Sequence, residues 1–331
     1  MIEHLYSITA EGTSPYRNQA LERYLLEHAG STDCVLYLWQ NRRTVVIGRN
    51  QNAWKECSCS RLEADGGFLA RRLSGGGAVF HDSGNLNFTF ICSTENYNEP
   101  RQTDVILEAV RQFGIPAECT GRNDITVNGK KFSGNACYRT DRACFHHGTL
   151  LLSENKEDLV KYLTVSPEKL SAKGVDSVRS RVTNLCEYVP GLTTGTVSEK
   201  LFTSFAAVYG LPVKPYRVDR IDEKELSGFE ADFASWNWRY GRAIPFTAER
   251  HRRSAWGSLD IQLAVREGII ADAVLWTDAL DTGLVQEAAG VLEGCRFSGA
   301  ETAERLAAVQ LHSDIQKQMM NDIRELLEEM L

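Results

Sequence analysis

The sequence predicts an α/β (α+β) protein in two domains, residues 1–245 and 246–331, and three observations carry that reading. Strand-like runs dominate the first half between a few amphipathic helices, an Asn-Gly pair joins two of those runs, and the texture changes near Pro245. At 331 residues the chain has room for a large domain and a smaller one. Its 43% hydrophobic and 24% charged content belongs to an ordinary globular chain and excludes the disordered and fibrous classes.

From the N-terminus, Ala20, Leu21, Tyr24 and Leu25 lie at helical spacing and predict a helix over 17–28 after Ser14-Pro15. Val35–Trp39 and Thr44–Ile47 read as strands, with Asn41-Arg42-Arg43 between them as a hairpin turn. Phe68–Arg72 leads into Gly75-Gly76-Gly77, and the strands at Val79 and Leu86–Ile91 continue the sheet beyond it. Val105, Ile106, Ala109, Val110 and Phe113 mark a helix that stops at Gly114 and Pro116. Ile125–Phe132 reads as a hairpin, because Asn128-Gly129 suits the two positive-φ positions of a type I′ turn. A strand over 145–152, a short helix over 156–163 and a helix through Leu201, Phe205 and Val208 ending at Gly210 follow. Beyond Pro245, Leu259, Ile261, Leu263 and Val265 alternate, Glu267-Gly268 turns the chain, and helical sequence runs to Leu331.

The net charge of -7 argues against a general nucleic-acid binder, which needs basic surface to neutralise phosphates. Nine scattered cysteines without a CxxC pair fit free thiols in a reducing compartment better than a disulfide framework or a zinc site. The start lacks a basic and apolar leader, and no apolar run reaches membrane-spanning length, so a cytoplasmic protein with no membrane partner is expected.

Three constellations carry chemistry. In Arg71-Arg72-Leu73-Ser74-Gly75-Gly76-Gly77, glycines let backbone N–H groups approach a ligand, and the guanidinium groups suit a carboxylate or phosphate. The order of residues is neither a Walker A nor a dinucleotide-fold motif, and a plain surface turn is the competing reading; Arg71, Arg72, Ser74 and His81 crowd more polar groups there than a turn needs. Next, Asp124 and Lys131 fall on the two strands of the Asn-Gly hairpin, near enough to act on one ligand, whereas Lys130 reads as a solvated turn residue. Lys131 would hold two anions that repel each other, and Asp124 would hold Mg²⁺ through phosphate oxygens. His146 and His147 point to opposite faces of a strand, so a shared metal is disfavoured; one of them donating into a pocket competes with a satisfied core histidine. Finally, Lys173–Asn184 is locally cationic in an acidic chain, which suits either a solvated face or a lid over an anionic intermediate.

Taken together, RRLSGGGAVFHDSGNLNFTF, GRNDITVNGKKFSGNA, FHHGTLL and KGVDSVRSRVTNL, supported by VVIGRNQNAWKEC and SWNWRYG, resemble the lipoate-protein ligases in their bacterial form with an appended C-terminal domain. The resemblance covers residues 35 to 245. It implies a mixed or antiparallel sheet domain of the biotin and lipoate ligase type, followed by a small C-terminal α+β domain. It also implies ATP, Mg²⁺ and lipoate as small molecules, with lipoyl-AMP as the intermediate. The acceptors it implies are a lysine on apo lipoyl carrier domains, namely 2-oxoacid dehydrogenase E2 subunits and the glycine cleavage H protein. Lys131 matches the family's essential lysine; Arg72, Gly77, Ala78, Val79, Phe80, Asn123 and Asp124 match ATP and adenylate contacts. Arg72, Ser74, Gly75, Gly76, Gly77, His81, His147 and Lys131 match the lipoate-binding set, and Lys173, Ser177, Arg179 and Arg181 the lid loop. Two alternatives stand beside this reading. A cysteine-dependent lipoyl or octanoyl transferase would need an activated thiolate, for which Cys137 and Cys144 lie near the second constellation. The other is a non-catalytic lipoate or adenylate binder.

Overall fold

The computed structural model describes residues 1–120, 124–164, 182–241 and 246–330. Its strands are β1 (His4–Thr9), β2 (Asp33–Trp39), β3 (Thr44–Ile47), β4 (Phe68–Arg71), β5 (Val79–His81), β6 (Asn85–Ser93) and β7 (Ala117–Thr120). They continue as β8 (Asp124–Val127), β9 (Lys130–Arg139), β10 (Ala143–Leu151), β11 (Val213–Pro215), β12 (Ala248–Ser254), β13 (Gly257–Arg266) and β14 (Ile269–Thr277). The chain forms two compact units: Met1–Val46, Cys57–Ala70 and Val79–Ser235 make the first, and Ile47–Glu56, Arg71–Ala78 and Trp236–Leu331 the second. The segments 47–56 and 71–78 thus belong, by packing, with the C-terminal part of the chain.

The first unit is built on a mixed sheet in the order β11-β1-β2-β6-β10-β9-β8-β7. β1 runs parallel to β11 and β2, while β6, β10, β9 and β8 alternate antiparallel. The Pro15–Glu27 helix starts where the Ser14 hydroxyl accepts the Arg17 N–H and proline occupies the first turn. Its buried stripe, Asn18, Gln19, Glu22, Leu25 and Leu26, keeps helical spacing but is half polar. The Glu99–Arg111 and Thr194–Tyr209 helices complete an apolar core around Phe88, Phe90, Val105, Ile106 and Phe205. Fully buried phenylalanines and leucines of this kind contribute about 2 kcal/mol each. The second of these helices ends on Gly210 at φ 66°, a left-handed position glycine takes without strain.

The Asn-Gly hairpin forms as the sequence requires, with Asn128 at φ 51° and Gly129 at φ 74° between β8 and β9. A second expectation fails: β2 and β3 are consecutive strands but not a hairpin. β2 is buried along almost its whole length and takes β1 and β6 as neighbours, while β3 joins a separate sheet in the order β4-β3-β5. For the same reason β5 and β6 do not continue one sheet. A strand with two apolar faces belongs inside a covered sheet, which a two-stranded hairpin cannot offer.

In the second unit β12, β13 and β14 form an antiparallel meander. Leu259, Ile261 and Leu263 alternate inward against Met319 and Ile323 of the Asp314–Glu328 helix and Val285 and Ala288 of the Leu284–Leu292 helix. Among the described residues no helix is long and apolar enough to cross a membrane.

Candidate active site

Lys131 and Asp124 meet across the hairpin in the first unit. The register sets Thr126 opposite Lys131 and Gly134 opposite Asp124, with an irregularity between Ile125 and Thr126. Lys131 therefore lies diagonally over Gly134, and its Nζ donates to Asp124 Oδ1 at 2.7 Å. A Cβ at position 134 would stand 2.7 Å from that Nζ, so the glycine is the space in which the lysine lies. Both side chains remain about one-third exposed, which keeps the ammonium open to an arriving anion. The backbone of Lys131 is occupied on its other side: Thr183 N–H donates to its carbonyl at 2.9 Å and Val182 pairs with it in parallel. The expected lid thus has its C-terminal root on the catalytic candidate itself. Asn184 fastens that root, accepting from the Glu154 N–H and donating to the Glu154 carbonyl.

One strand away, β10 places its two histidines on opposite faces. His146 is buried among Phe88 and Phe90, with Nε2 3.2 Å from Asn135 Oδ1. Burial and the neighbouring His147 pull its pKa down to about 3, so it is neutral at physiological pH and belongs to the core. Gly148 follows because Asn135 Oδ1 and Phe88 would stand 2.5 and 2.6 Å from a Cβ there. His147 instead faces the Pro15–Glu27 helix, and its Nδ1 lies 2.8 Å from Glu22 Oε1. That oxygen also accepts from Thr89 Oγ1 at 2.8 Å, and Thr89 accepts from Trp39 Nε1 at 3.0 Å. Glu22, Thr89 and His147 are 1%, 0% and 7% exposed, so the carboxylate fixes the imidazole in a dry setting with Nδ1 as donor.

His81 is oriented by a parallel chain of amides. Asn18 Nδ2 donates to Asn41 Oδ1, which leaves Asn41 Nδ2 as the donor to His81 Nδ1 at 3.2 Å. The proton of His81 therefore resides on Nε2. Val79 and Phe80 precede it on β5, where Phe80 is buried against Tyr162.

The glycine loop packs within the second unit. Arg72 is buried, and its Nε and Nη2 donate to Ser74 Oγ and to the carbonyls of Gly75 and Gly77 at 2.8 to 3.2 Å. Gly76 alone of the three takes a positive φ, 93°, and its N–H donates to the Ala279 carbonyl at 3.0 Å. A Cβ on Gly75 would lie 2.3 Å from that same carbonyl oxygen, and one on Gly48 2.1 Å from the Gly76 oxygen. The reading of this loop as N–H groups turned to a ligand is thereby corrected for Gly76. In this conformation its glycines serve close backbone approach. Arg71 is corrected as well: it is 3% exposed and its guanidinium donates to the carbonyls of Trp238, Gly48, Arg49, Gln51 and Arg239, at 2.7 to 3.2 Å. It organises backbone and is not an open anion donor.

Of the residues named from sequence, Lys131 and Asp124 are brought together, and Arg72, Ser74, Gly75, Gly76, Gly77 and Ala78 form their own cluster. His147 and His81 are each held by a buried partner. Asn123, Lys173, Ser177, Arg179 and Arg181 lie outside the described residues. Sequence reasoning missed Glu22 and Asn41. The signal for Glu22 was a polar residue recurring at i+4 from Asn18 on the inward stripe of the helix. Asn41 sits in a loop and carried no pattern.

The two cysteines of the transferase alternative lack activation. Hydrogen bonding to Cys92 and burial push the Cys144 thiol up, and its Sγ donates to the Cys92 carbonyl. Partial desolvation and the Glu99 carboxylate raise the Cys137 thiol, although the residue as a whole is exposed. A thiol raised in this way stays protonated and is a poor nucleophile.

This architecture, a mixed-sheet α/β domain followed by a small antiparallel one, is matched along nearly its whole length by one solved structure and over about three quarters of its length by two others. LipL1 of P. falciparum, solved in complex with lipoate, is 27% identical with a TM-score of 0.85, over 98% of this chain and 99% of that one. The bipartite lipoate protein ligase of Thermoplasma acidophilum, solved with its E2 lipoyl domain, shares the fold at 23% identity and a TM-score of 0.64, over 75% of this chain and 100% of that one. A lipoate-protein ligase A bound with ATP does so at 23% and 0.62, over 73% and 99%. The lipoyl protein ligase A/B catalytic domain matches residues 14–206 and the bacterial lipoate protein ligase C-terminus residues 243–327. With more than half of its length in the first match, the chain belongs to the lipoyl protein ligase A/B family.

Proposed function

We propose that the chain is an ATP-dependent lipoate-protein ligase, and the observation that carries this is the partly exposed Lys131 ammonium held over Gly134 by Asp124. Activation brings an anionic carboxylate against an anionic α-phosphate, so a preorganised cation between them stabilises the transition state more than the ground state. A carboxylate oxygen of lipoate attacks the α-phosphorus, and the bond to the bridging oxygen breaks with its electrons leaving on pyrophosphate. The acceptor lysine nitrogen then attacks the acyl carbon, the carbon–oxygen bond to AMP breaks, and the amine loses a proton. Neither step needs an enzyme nucleophile. Arg72 and Gly77–Phe80 are assigned to ATP and adenylate, and Ser74–Gly77, His81 and His147 to lipoate. Residues 1–245 are assigned to catalysis, 246–331 to an accessory role, and the loop 164–184 to covering the adenylate, which hydrolyses if exposed.

Mg²⁺ binds ATP enzymes through one or two carboxylates, with phosphate and water oxygens completing its shell. Asp124 supplies one accessible carboxylate and would hold the ion against the phosphates, neutralising charge there. Apo lipoyl carrier domains are the proposed acceptors, a reading supported by the E2 lipoyl domain solved with the T. acidophilum relative. The test is to incubate the protein with ATP, Mg²⁺, lipoate and an apo carrier domain. A carrier mass gain of one lipoyl group that depends on ATP is expected; binding of lipoyl-adenylate without transfer would establish a non-catalytic binder instead.

Cys137→Ser and Cys144→Ser are expected to retain ATP-dependent lipoylation within about threefold, since neither thiol is activated. Abolished turnover in either variant, with no adenylate formed by the parent protein, would favour the cysteine transferase.

A further inference from the structure

Cys57, Ser58 and Cys59 form a tight turn in the first unit. The Cys59 N–H donates to the Cys57 carbonyl at 2.9 Å, and Ser58 stands at φ -74° and ψ 67°, the geometry of an inverse γ-turn. An extended chain would set the Cα atoms of the two cysteines about 7 Å apart, whereas a disulfide takes about 4.4–6.8 Å, so the bend brings the pair into bonding range. The side chains follow the backbone: the two thiols hydrogen-bond to one another, Cys57 donating to Cys59 Sγ.

The turn is also held from outside. The Ser58 N–H donates to the Tyr162 carbonyl at 2.9 Å, and Cys57 pairs with Leu163 in an antiparallel bridge. The Ser58 carbonyl accepts the Leu62 N–H at 3.0 Å and so starts the Cys59–Ala64 helix. Asp65, directly after that helix, accepts from the Tyr162 hydroxyl at 2.8 Å and pairs with Lys161. A backbone fixed on both sides of the turn keeps each sulfur within reach of the other, so reaction between them is intramolecular and favoured.

Ionisation distinguishes the two. The hydrogen bond from Cys57 holds the Cys59 thiol below its ordinary value, and the same bond together with burial pushes Cys57 up. Cys59 is therefore the attacking sulfur and Cys57 the resolving one. The exposed cysteines differ: partial desolvation and the Glu99 carboxylate raise both Cys119 and Cys137.

We propose that Cys57 and Cys59 are an oxidation site that hydrogen peroxide closes to an intramolecular disulfide. Cys59 Sγ attacks one peroxide oxygen, the O–O bond breaks, and the departing hydroxide takes a proton to leave as water, with a sulfenic acid on Cys59. Cys57 Sγ then attacks that sulfur, its proton goes to the departing hydroxide, and a second water leaves. The two thiols lose two electrons and two protons, and peroxide takes up both. So short a closed loop adds little to stability, which suits a reversible modification. The inference does not depend on the ligase reading.

The experiment treats the full folded chain with one equivalent of hydrogen peroxide, blocks the remaining thiols with iodoacetamide and digests with trypsin. Cleavage after Lys55 and Arg61 isolates Glu56–Arg61, which holds both cysteines and no other. That peptide is expected unalkylated and about two mass units lighter than its dithiol form, and dithiothreitol added before blocking should restore both alkylation sites. Cys119 and Cys137 should still alkylate. Cys57→Ser should instead accumulate a sulfenic acid on Cys59 that dimedone captures, and Cys59→Ser should react with peroxide at Cys57 at least about tenfold more slowly. A dithiol peptide after treatment, oxidation of Cys119 or Cys137 ahead of it, a link from Cys57 or Cys59 to another cysteine, or dimedone capture at equal rates in the two variants would each overturn the proposal.

Discussion

Lys131→Ala is expected to lower pyrophosphate release in the presence of lipoate and MgATP by about a hundredfold to a thousandfold, the range seen when one preorganised stabilising group is removed. The same variant should fold normally. An ion pair with both partners one-third exposed contributes no more than about 1 kcal/mol, so its melting temperature should move by only a few degrees. Lys131→Arg should fail nearly as fully: Gly134 leaves room for a slender ammonium arm, whereas a planar fork needs more width. The measurement is single-turnover adenylate formation, with transfer from synthetic lipoyl-adenylate as a second readout. Normal pyrophosphate release from Lys131→Ala would remove this residue from the activation step.

Glu22→Ala should be the more damaging change to stability. It takes from Thr89 Oγ1 and His147 Nδ1 the acceptor they share, in a space closed to water, at a cost of roughly 2–4 kcal/mol for the two groups. Glu22→Gln keeps one oxygen that can accept from both, and should recover most of that loss. Urea or thermal unfolding reads the stability, and the KM for lipoate reads the orientation of His147. A Glu22→Ala protein that unfolds like the parent would show that the network is not closed to water.

The legible parts of the fold were those set by local chemistry. The Asn128-Gly129 turn could be placed because few residues tolerate two successive positive φ values, and it carried Lys131 and Asp124 with it. The Thr194–Tyr209 helix ended at Gly210 for the same kind of reason. The pairing of β2 with β6 rather than with β3 was not legible, because both partners offer apolar strands and only the closure of the whole sheet chooses between them. Glu22 escaped notice because its partner Thr89 lies 67 residues away and His147 lies 125 away.

The sequence by itself determined the two-part α/β plan, the hairpin that aligns a lysine with a carboxylate, and a glycine-rich turn flanked by arginines. Periodicity, turn stereochemistry and residue type act over a few neighbours, and those neighbours are adjacent in the chain. Only the tertiary structure decided what the groups do once folded. It sent one arginine of the pair to five backbone carbonyls, drew 47–56 and 71–78 into the C-terminal unit, and rooted the C-terminal end of the expected lid on the backbone of Lys131. Those outcomes depend on which donors and acceptors remain unsatisfied after the core closes, and that quantity belongs to the packed chain as a whole.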